Sequence, residues 1–242
     1  MRLRVDLAVT VPKDVERQDL NEDAWAADEA VTRIAVSDGA SESFDSRAWA
    51  RLLVDAYARD HGFSTEWLEK VLAEYLSSID YESLTWSKQA AYDRGSFATL
   101  LGVELAPNGS DVEVLAIGDS VAFHLRHGQL LVSFPYTTAE EFDSRPLLLS
   151  TLASSNAFVH ESGFFSQNSS STWHVQNGDI LLLATDAVSQ WALRERGIEN
   201  SALRFLSTVD SHSVFQVKIE ELRSEGRIRL DDSTIIRLVV EG

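Results

Sequence analysis

The sequence predicts an α+β fold in which two antiparallel sheets pack face to face with helices outside them. Across residues 97–134, short β-type runs follow one another through links of hairpin length, which favours antiparallel pairing. The helical patterns come in groups and do not alternate with strands one for one, so a parallel β-α-β sheet does not fit. The helices each carry one apolar stripe, and two stacked sheets with helices on their outer faces would bury all the stripes at once.

Taken in order, Leu3, Val5, Leu7 and Val9 alternate with Arg4, Asp6 and Ala8 and predict a half-buried strand. Residues 32–36 form a β-type run that ends at Ser37-Asp38-Gly39. A helix follows, capped by Asp45 or Ser46, with Trp49, Leu52, Leu53, Ala56 and Tyr57 at helical spacing and Gly62 as its stop. Ser64 caps the next helix, whose stripe is Leu68, Val71, Leu72, Tyr75, Leu76 and Ile79. Trp49 and Trp67 are expected in the core.

Strand runs then cover residues 97–105, 111–117, 120–126 and 129–134, separated by turn signals such as Pro107-Asn108-Gly109, Gly118-Asp119 and His127-Gly128. The serine-rich residues 162–172 read as a surface loop. Residues 172–175 and 180–184, on either side of Gln176-Asn177-Gly178-Asp179, read as a further hairpin. Helical patterns return over 187–196 and 213–223, and 234–240 is the last strand. There is no internal repeat and no Pro/Gly/Ser linker, so one domain over residues 1–242 is expected.

Charge and composition remove several function classes. Lys and Arg number 21 against 38 Asp and Glu, a net charge of −17. That balance argues against nucleic acid and anionic membranes as partners. It does not exclude a phosphorylated substrate, because a bound cation can invert the local field. The absence of cysteine excludes disulfides, thiolate metal sites and cysteine nucleophiles. Charges in Met1-Arg2-Leu3-Arg4-Val5-Asp6 break any apolar export signal, and residues 146–160 are too short and polar to span a bilayer. A soluble cytoplasmic protein is the expectation.

Several carboxylates stand at the ends of apolar strands: Asp38, Asp119, Asp186, the pair Asp231-Asp232, and Glu22-Asp23 ahead of Ala24-Trp25-Ala26. Aspartate is also common in strand-end turns. Brought together, however, such groups would repel and raise one another's pKa, and a hard divalent cation such as Mg²⁺ or Mn²⁺ would relieve that. Phosphate loops, dinucleotide fingerprints, zinc-binding histidine pairs and G-x-S-x-G elbows are all missing. Gly118-Asp119-Ser120 weakly resembles the nucleophile block of GDS-type esterases. It lies mid-chain, though, and the late Asp210-Ser211-His212 is one residue too close for their Asp-x-x-His.

Together these segments resemble the PPM-type metal-dependent protein phosphatases (protein phosphatase 2C), in family order over residues 5–240. Asn21-Glu22-Asp23 resembles the early acidic pair, Asp38-Gly39 the Asp-Gly ligand turn, and Gly95-Ser96-Phe97-Ala98-Thr99 the glycine-serine strand opening. Gly118-Asp119-Ser120 with Arg126-His127-Gly128-Gln129-Leu130 is similar to the Gly-Asp-Ser hairpin. Thr185-Asp186-Ala187 resembles the Ser/Thr-Asp-Gly turn, and Asp231-Asp232-Ser233-Thr234 the closing Asp-Asn-x-Thr.

The resemblance implies a four-layer α–β–β–α sandwich that hydrolyses phosphoserine and phosphothreonine on proteins through a hydroxide bridging two Mn²⁺ or Mg²⁺ ions. It implies that Asp38 bridges both ions, that Asp186 and Asp231 complete one, and that the Gly39 carbonyl and Glu22 serve the other. Asp23 would orient water, Asp119 would bind a weaker third ion, and Arg17 would capture phosphate. The sequence departs from the family pattern at Ala40, where a proton-donating histidine is common, and at Gln18, which displaces the usual arginine by one residue to Arg17. Ala187 and Gln190 depart as well, the latter where a further acid is common. A non-catalytic module that binds a phosphoprotein or another partner is therefore the alternative.

Overall fold

The computed structural model describes residues 1–41, 43–165, 169–197 and 201–242. In chain order the strands begin with β1 (Arg2–Val11), β2 (Ala24–Ala27), β3 (Arg33–Ser37), β4 (Phe97–Ala98), β5 (Leu100–Leu105) and β6 (Asp111–Ile117). They continue with β7 (Val121–Arg126), β8 (Gln129–Phe134), β9 (Leu149–Ser150), β10 (Ser170–His174), β11 (Ile180–Ala184) and β12 (Ser233–Glu241). The α-helices are α1 (Ser46–Arg59), α2 (Thr65–Ser77), α3 (Trp86–Tyr92), α4 (Asp186–Arg194), α5 (Ser201–Thr208) and α6 (His212–Ser224).

One sheet has the order β1-β12-β11-β7-β8 and the other β10-β6-β5-β3-β2, and all pairs in both are antiparallel. Alternation along each strand then sets the layers, because successive side chains point to opposite faces. In β11, Leu181 and Leu183 join Ile236 and Leu238 of β12 in a core with Ile34, Val36, Leu101, Val103, Val112 and Val114 from the other sheet. Leu182 and Ala184 face the other way and pack with residues of α4, α5 and α6 such as Trp191, Leu206 and Phe215. On the second sheet Ala35, Leu100 and Leu115 pack outward against α1 and α2 through Trp49, Leu53 and Tyr75. Three apolar cores between four layers make the α–β–β–α sandwich that the sequence predicts.

The helix starts follow the expected capping. Asp45 accepts from the Ala48 amide at 3.1 Å and Ser64 from the Trp67 amide at 3.2 Å, each satisfying a donor left free in the first turn. Trp49 and Trp67 are buried, and Trp49 Nε1 donates to the Leu149 carbonyl.

The structure corrects two expected hairpins. Gly118-Asp119-Ser120 and the turn from Gln176 to Asp179 each carry the chain from one sheet to the other, since β6 and β10 lie in one and β7 and β11 in the other. A short link fixes only that two strands are near each other. Here β6 is already flanked by β5 and β10, and β7 by β11 and β8, so neither keeps an edge for the other. The run over 97–105 divides at Thr99, whose amide donates to the Asp38 carbonyl, and the two residues before it turn aside to pair with β9. The expected loop over 162–172 includes the first residues of β10 and the buried Phe164, while 166–168 lie outside the described residues. Helices α3 and α5 were not expected. Among the described residues no helix is long and apolar enough to cross a membrane.

Candidate functional site

Antiparallel register decides where the strand-end carboxylates go. Ala184 pairs with both Ile235 and Val121, so the exit of β11 and the entries of β12 and β7 share one end of the first sheet. Asp186, Asp231 and Asp119 stand just beyond those positions. In the second sheet Ala24 pairs with Ser37, which puts Asp23 and Asp38 side by side at the entry of β2 and the exit of β3. Leu100 pairs with Ile117, so the β6–β7 crossing that bears Asp119 leaves from the same end. One end of the sandwich therefore receives acid from both sheets.

The Asp38 turn is held firmly. The Asp38 amide donates to Thr99 Oγ1 at 2.8 Å, and Thr99 Oγ1 lies 3.0 Å from Ser120 Oγ, which ties this turn to the Gly118-Asp119-Ser120 crossing. Gly118 has φ +105°, and a Cβ there would come within 2.5 Å of the Thr99 methyl. A Cβ on Gly39 would meet the Ser46 backbone at 2.8 Å, so only glycine lets the turn lie against the start of α1. Asp23 Oδ2 accepts from Thr185 Oγ1 at 3.0 Å and Thr234 Oγ1 at 2.6 Å, while its buried Oδ1 has no hydrogen-bond partner.

Electrostatics report the crowding. Burial, and then the charges of Asp23, Asp186, Asp231 and Asp119, push the Asp38 carboxyl well above the usual carboxylate range. Asp23 is likewise raised well above it, by burial first and then by Asp232 and Asp186 against the opposing hydroxyl bonds. Asp186, in the first turn of α4, is pushed up to about 7 by burial, Asp119 and Asp231. Asp119 and Asp231 are raised too, chiefly by burial.

Two cations not singled out from the sequence, and Asp232 of the Asp231-Asp232 pair, complete the site. Lys13 Nζ lies 2.6 Å from Glu22 Oε2 and 2.6 Å from Ser41 Oγ. Burial would raise Glu22, but hydrogen bonds from Lys13, Ser41 and Ser46 outweigh it and hold the carboxyl below its ordinary value. Arg229 Nη1 stands 3.4 Å from Asp186 Oδ2. Asp232 is buried and accepts from the amides of Lys13 and Glu22, both at 2.7 Å, so it fastens the Glu22 segment to the entry of β12. The adjacent Asp231-Asp232 pair was the available signal for that role; nothing local to Lys13 or Arg229 marks them.

Arg17 is placed differently. It sits before the 3-10 turn Gln18–Leu20, its side chain 55% exposed, with Nε 3.2 Å from Asp19 Oδ1. No contact joins it to the acidic cluster among the described residues. Gln190, in the place of a further acid, is buried in α4.

The carboxylates suit a hard divalent cation in donor chemistry: oxygen atoms only, several of them disfavoured as bare charges, and one buried oxygen of Asp23 unsatisfied. Among the described residues, no group of three or more histidine, aspartate or glutamate side chains already stands in a geometry that could hold a metal ion.

The chain has the fold of known phosphatases. It matches the Mycobacterium tuberculosis serine/threonine phosphatase PstP/Ppp over 100% of both chains at 19% identity, with a TM-score of 0.61. It matches the catalytic domain of the serine/threonine protein phosphatase PstP in complex with two manganese ions over 99% of each chain at 19% identity and a TM-score of 0.60. The serine/threonine phosphatase Stp1 from Staphylococcus aureus is similar over 100% of this chain and 98% of its own, at 15% identity and a TM-score of 0.55. No protein-family model and no curated protein sequence matches the chain.

Proposed function

We propose that this protein is a Mn²⁺- or Mg²⁺-dependent phosphatase acting on phosphoserine and phosphothreonine of proteins. The observation that carries this reading is the convergence of Asp23, Asp38, Asp119, Asp186 and Asp231 on one end of a sandwich shared with metal-bearing phosphatases. Their bare charges are disfavoured there, and a divalent cation would relieve them.

In this reading Asp38, Asp186, Asp231, Glu22 and the Gly39 carbonyl would hold two divalent ions, with Asp38 shared by both. Asp119 would hold a third ion more weakly. When bound, the ions would acidify water and offset charge on the phosphoryl oxygens. The chain's own part is to position. Thr185 and Thr234 fix one oxygen of Asp23, which leaves Oδ1 to orient water and take its proton. Glu22 is aligned by Ser41, Ser46 and the amide grip of Asp232. Lys13, whose ammonium lies on Glu22 and Ser41, would have to turn from them to meet a phosphoryl oxygen, and Arg17 would have to leave Asp19. Ala40 offers no proton to the leaving oxygen, so that proton must come from solvent.

A non-catalytic binding module is the second reading. It is favoured by the same Lys13–Glu22 and Arg229–Asp186 contacts, in which internal cations already sit on two of the prospective ligands. Hydrolysis of an aryl phosphate by the full chain, with and without Mn²⁺, separates the two. Turnover should require the metal, and Asp38→Asn should abolish nearly all of it. Full turnover in excess chelator, or in Asp38→Asn, would refute the metal site, and no turnover at all would favour the binding module.

A further inference from the structure

Next to the Asp38-Gly39 turn lies a cavity of about 630 Å³ whose lining begins at Ala40, two residues from Asp38. Its floor and walls include Phe97, Pro146, Leu147 and Phe158. The chain is strongly acidic, yet among the described residues lining this cavity none carries a carboxylate and the charged ones are Arg94 and Arg145; Glu42, between the lining Ser41 and Ser43, lies outside the described residues. Three further cavities differ: one holds Asp23 and Asp45, another Asp19, Glu22 and Asp45, and a third Asp28, Glu29 and Asp55.

The two arginines are also available. Both are exposed. Arg94 spends one nitrogen on the Ala90 carbonyl, and Arg145 has no hydrogen-bond or ion-pair partner among the described residues. Unpaired guanidinium groups at the rim of an apolar hollow match a carboxylate beside an apolar side chain, because the planar fork bonds carboxylate oxygens two at a time. Leu147 is 55% exposed on the same rim and gives the apolar neighbour something to cover.

We propose that this cavity is a specificity subsite for the polypeptide flanking the phosphorylated residue, and that it selects an acidic residue with an apolar one close by. The inference rests on the reading of the acidic cleft as a phosphoester site. A peptide advances about 3.3 Å per residue when extended. A residue two or three positions from the phosphoserine would therefore reach the hollow while the phosphate lies at the carboxylates.

The test uses the full chain with Mn²⁺ and two sets of phosphoserine peptides, with Glu-Leu or Lys-Leu placed within three residues on either side, beside an aryl phosphate. Wild type should favour the Glu-Leu peptides in kcat/KM, mainly through KM. Arg94→Glu/Arg145→Glu should reverse the preference, each charge contributing a change of roughly two- to fivefold, as exposed ion pairs do. The loss on the aryl phosphate, which has nothing to reach the cavity, should be smaller. Equal losses on both substrates would assign the arginines to the phosphoryl group and overturn the subsite, as would a wild type indifferent to flanking charge. Fluorescence anisotropy with non-hydrolysable phosphonate versions of the same peptides reads the preference without turnover. A chain that binds the Glu-Leu peptide selectively but never hydrolyses any ester would refute the phosphatase reading and leave the subsite standing.

Discussion

Lys13 and Arg17 show how much a few residues of chain can change a side chain's role. Lys13 stands two residues past the end of β1, its amide is fixed by Asp232, and its ammonium lies on Glu22 inside the cleft. Arg17 is four residues further along, outside any strand, and spends its guanidinium on Asp19 in solvent. An exposed pair of that kind contributes little and holds Arg17 only loosely. We expect Lys13→Ala to raise KM for a phosphopeptide about tenfold, equivalent to about 1.4 kcal/mol. The same change should tighten Mn²⁺ binding, since Glu22 loses its competing partner; titration calorimetry checks this. Arg17→Ala should have the smaller effect on KM. The opposite ranking would mean that the Arg17–Asp19 pair opens in the complex and that Arg17 carries the phosphate.

At the level of elements, the end of the sandwich away from the acidic cluster has its own anchor. Asp179, at the end of the β10–β11 crossing, is buried. It accepts from Arg126 Nε at 2.9 Å, Arg126 Nη2 at 2.8 Å and the Gln176 amide at 2.8 Å, with His124 Nε2 also at 2.8 Å. Burial acts to raise this carboxyl, but Arg126, His124 and the amide outweigh it and bring it to about 2. A carboxyl depressed in the folded state stabilises the protein above its unfolded pKa, and that stabilisation is lost as pH falls from there through about 2. The contribution is on the order of 2 kcal/mol. Asp179→Asn should therefore lower stability by about that amount near neutral pH, and the gap to wild type should narrow as pH falls below about 4. Denaturant titrations at the two pH values measure it. A gap that does not change with pH would show that packing, not charge, anchors the crossing.

For the whole molecule, the acidic end should make stability depend on metal. Asp186 is raised to about 7 in the folded state, so its ionisation destabilises the metal-free protein. That burden is absent below the ordinary carboxylate range and grows as pH rises through it towards about 7. A ligand that binds only the folded state contributes about 2.7 kcal/mol at a hundredfold excess over Kd. Each kcal/mol moves Tm by roughly 2–4 °C in a domain of this size, so saturating Mn²⁺ should raise Tm by about 5–11 °C. Asp186→Asn should melt higher than wild type in chelator at mildly alkaline pH and gain less from Mn²⁺. A variant that melts lower in chelator and still gains the full shift would remove Asp186 from the ligand set.

The sequence by itself determined the α+β class, a cap at Asp45 or Ser46 and another at Ser64, the strand runs that become β11 and β12, and which carboxylates end strands. All of these depend on local periodicity and on the chemistry of a few neighbouring residues. Only the tertiary structure decided that the Gly118 and Gln176 turns cross between sheets, because a short link does not say which strand takes a free edge. Only the structure put Lys13 on Glu22, Arg229 on Asp186 and Asp232 under the Glu22 segment, since those partners are 9, 43 and 210 residues apart. The convergence of the acids has the same origin. Each is an ordinary turn residue in its own stretch of chain, and it is the register of β2 on β3 and of β11 on β12 and β7 that brings their charges to one end.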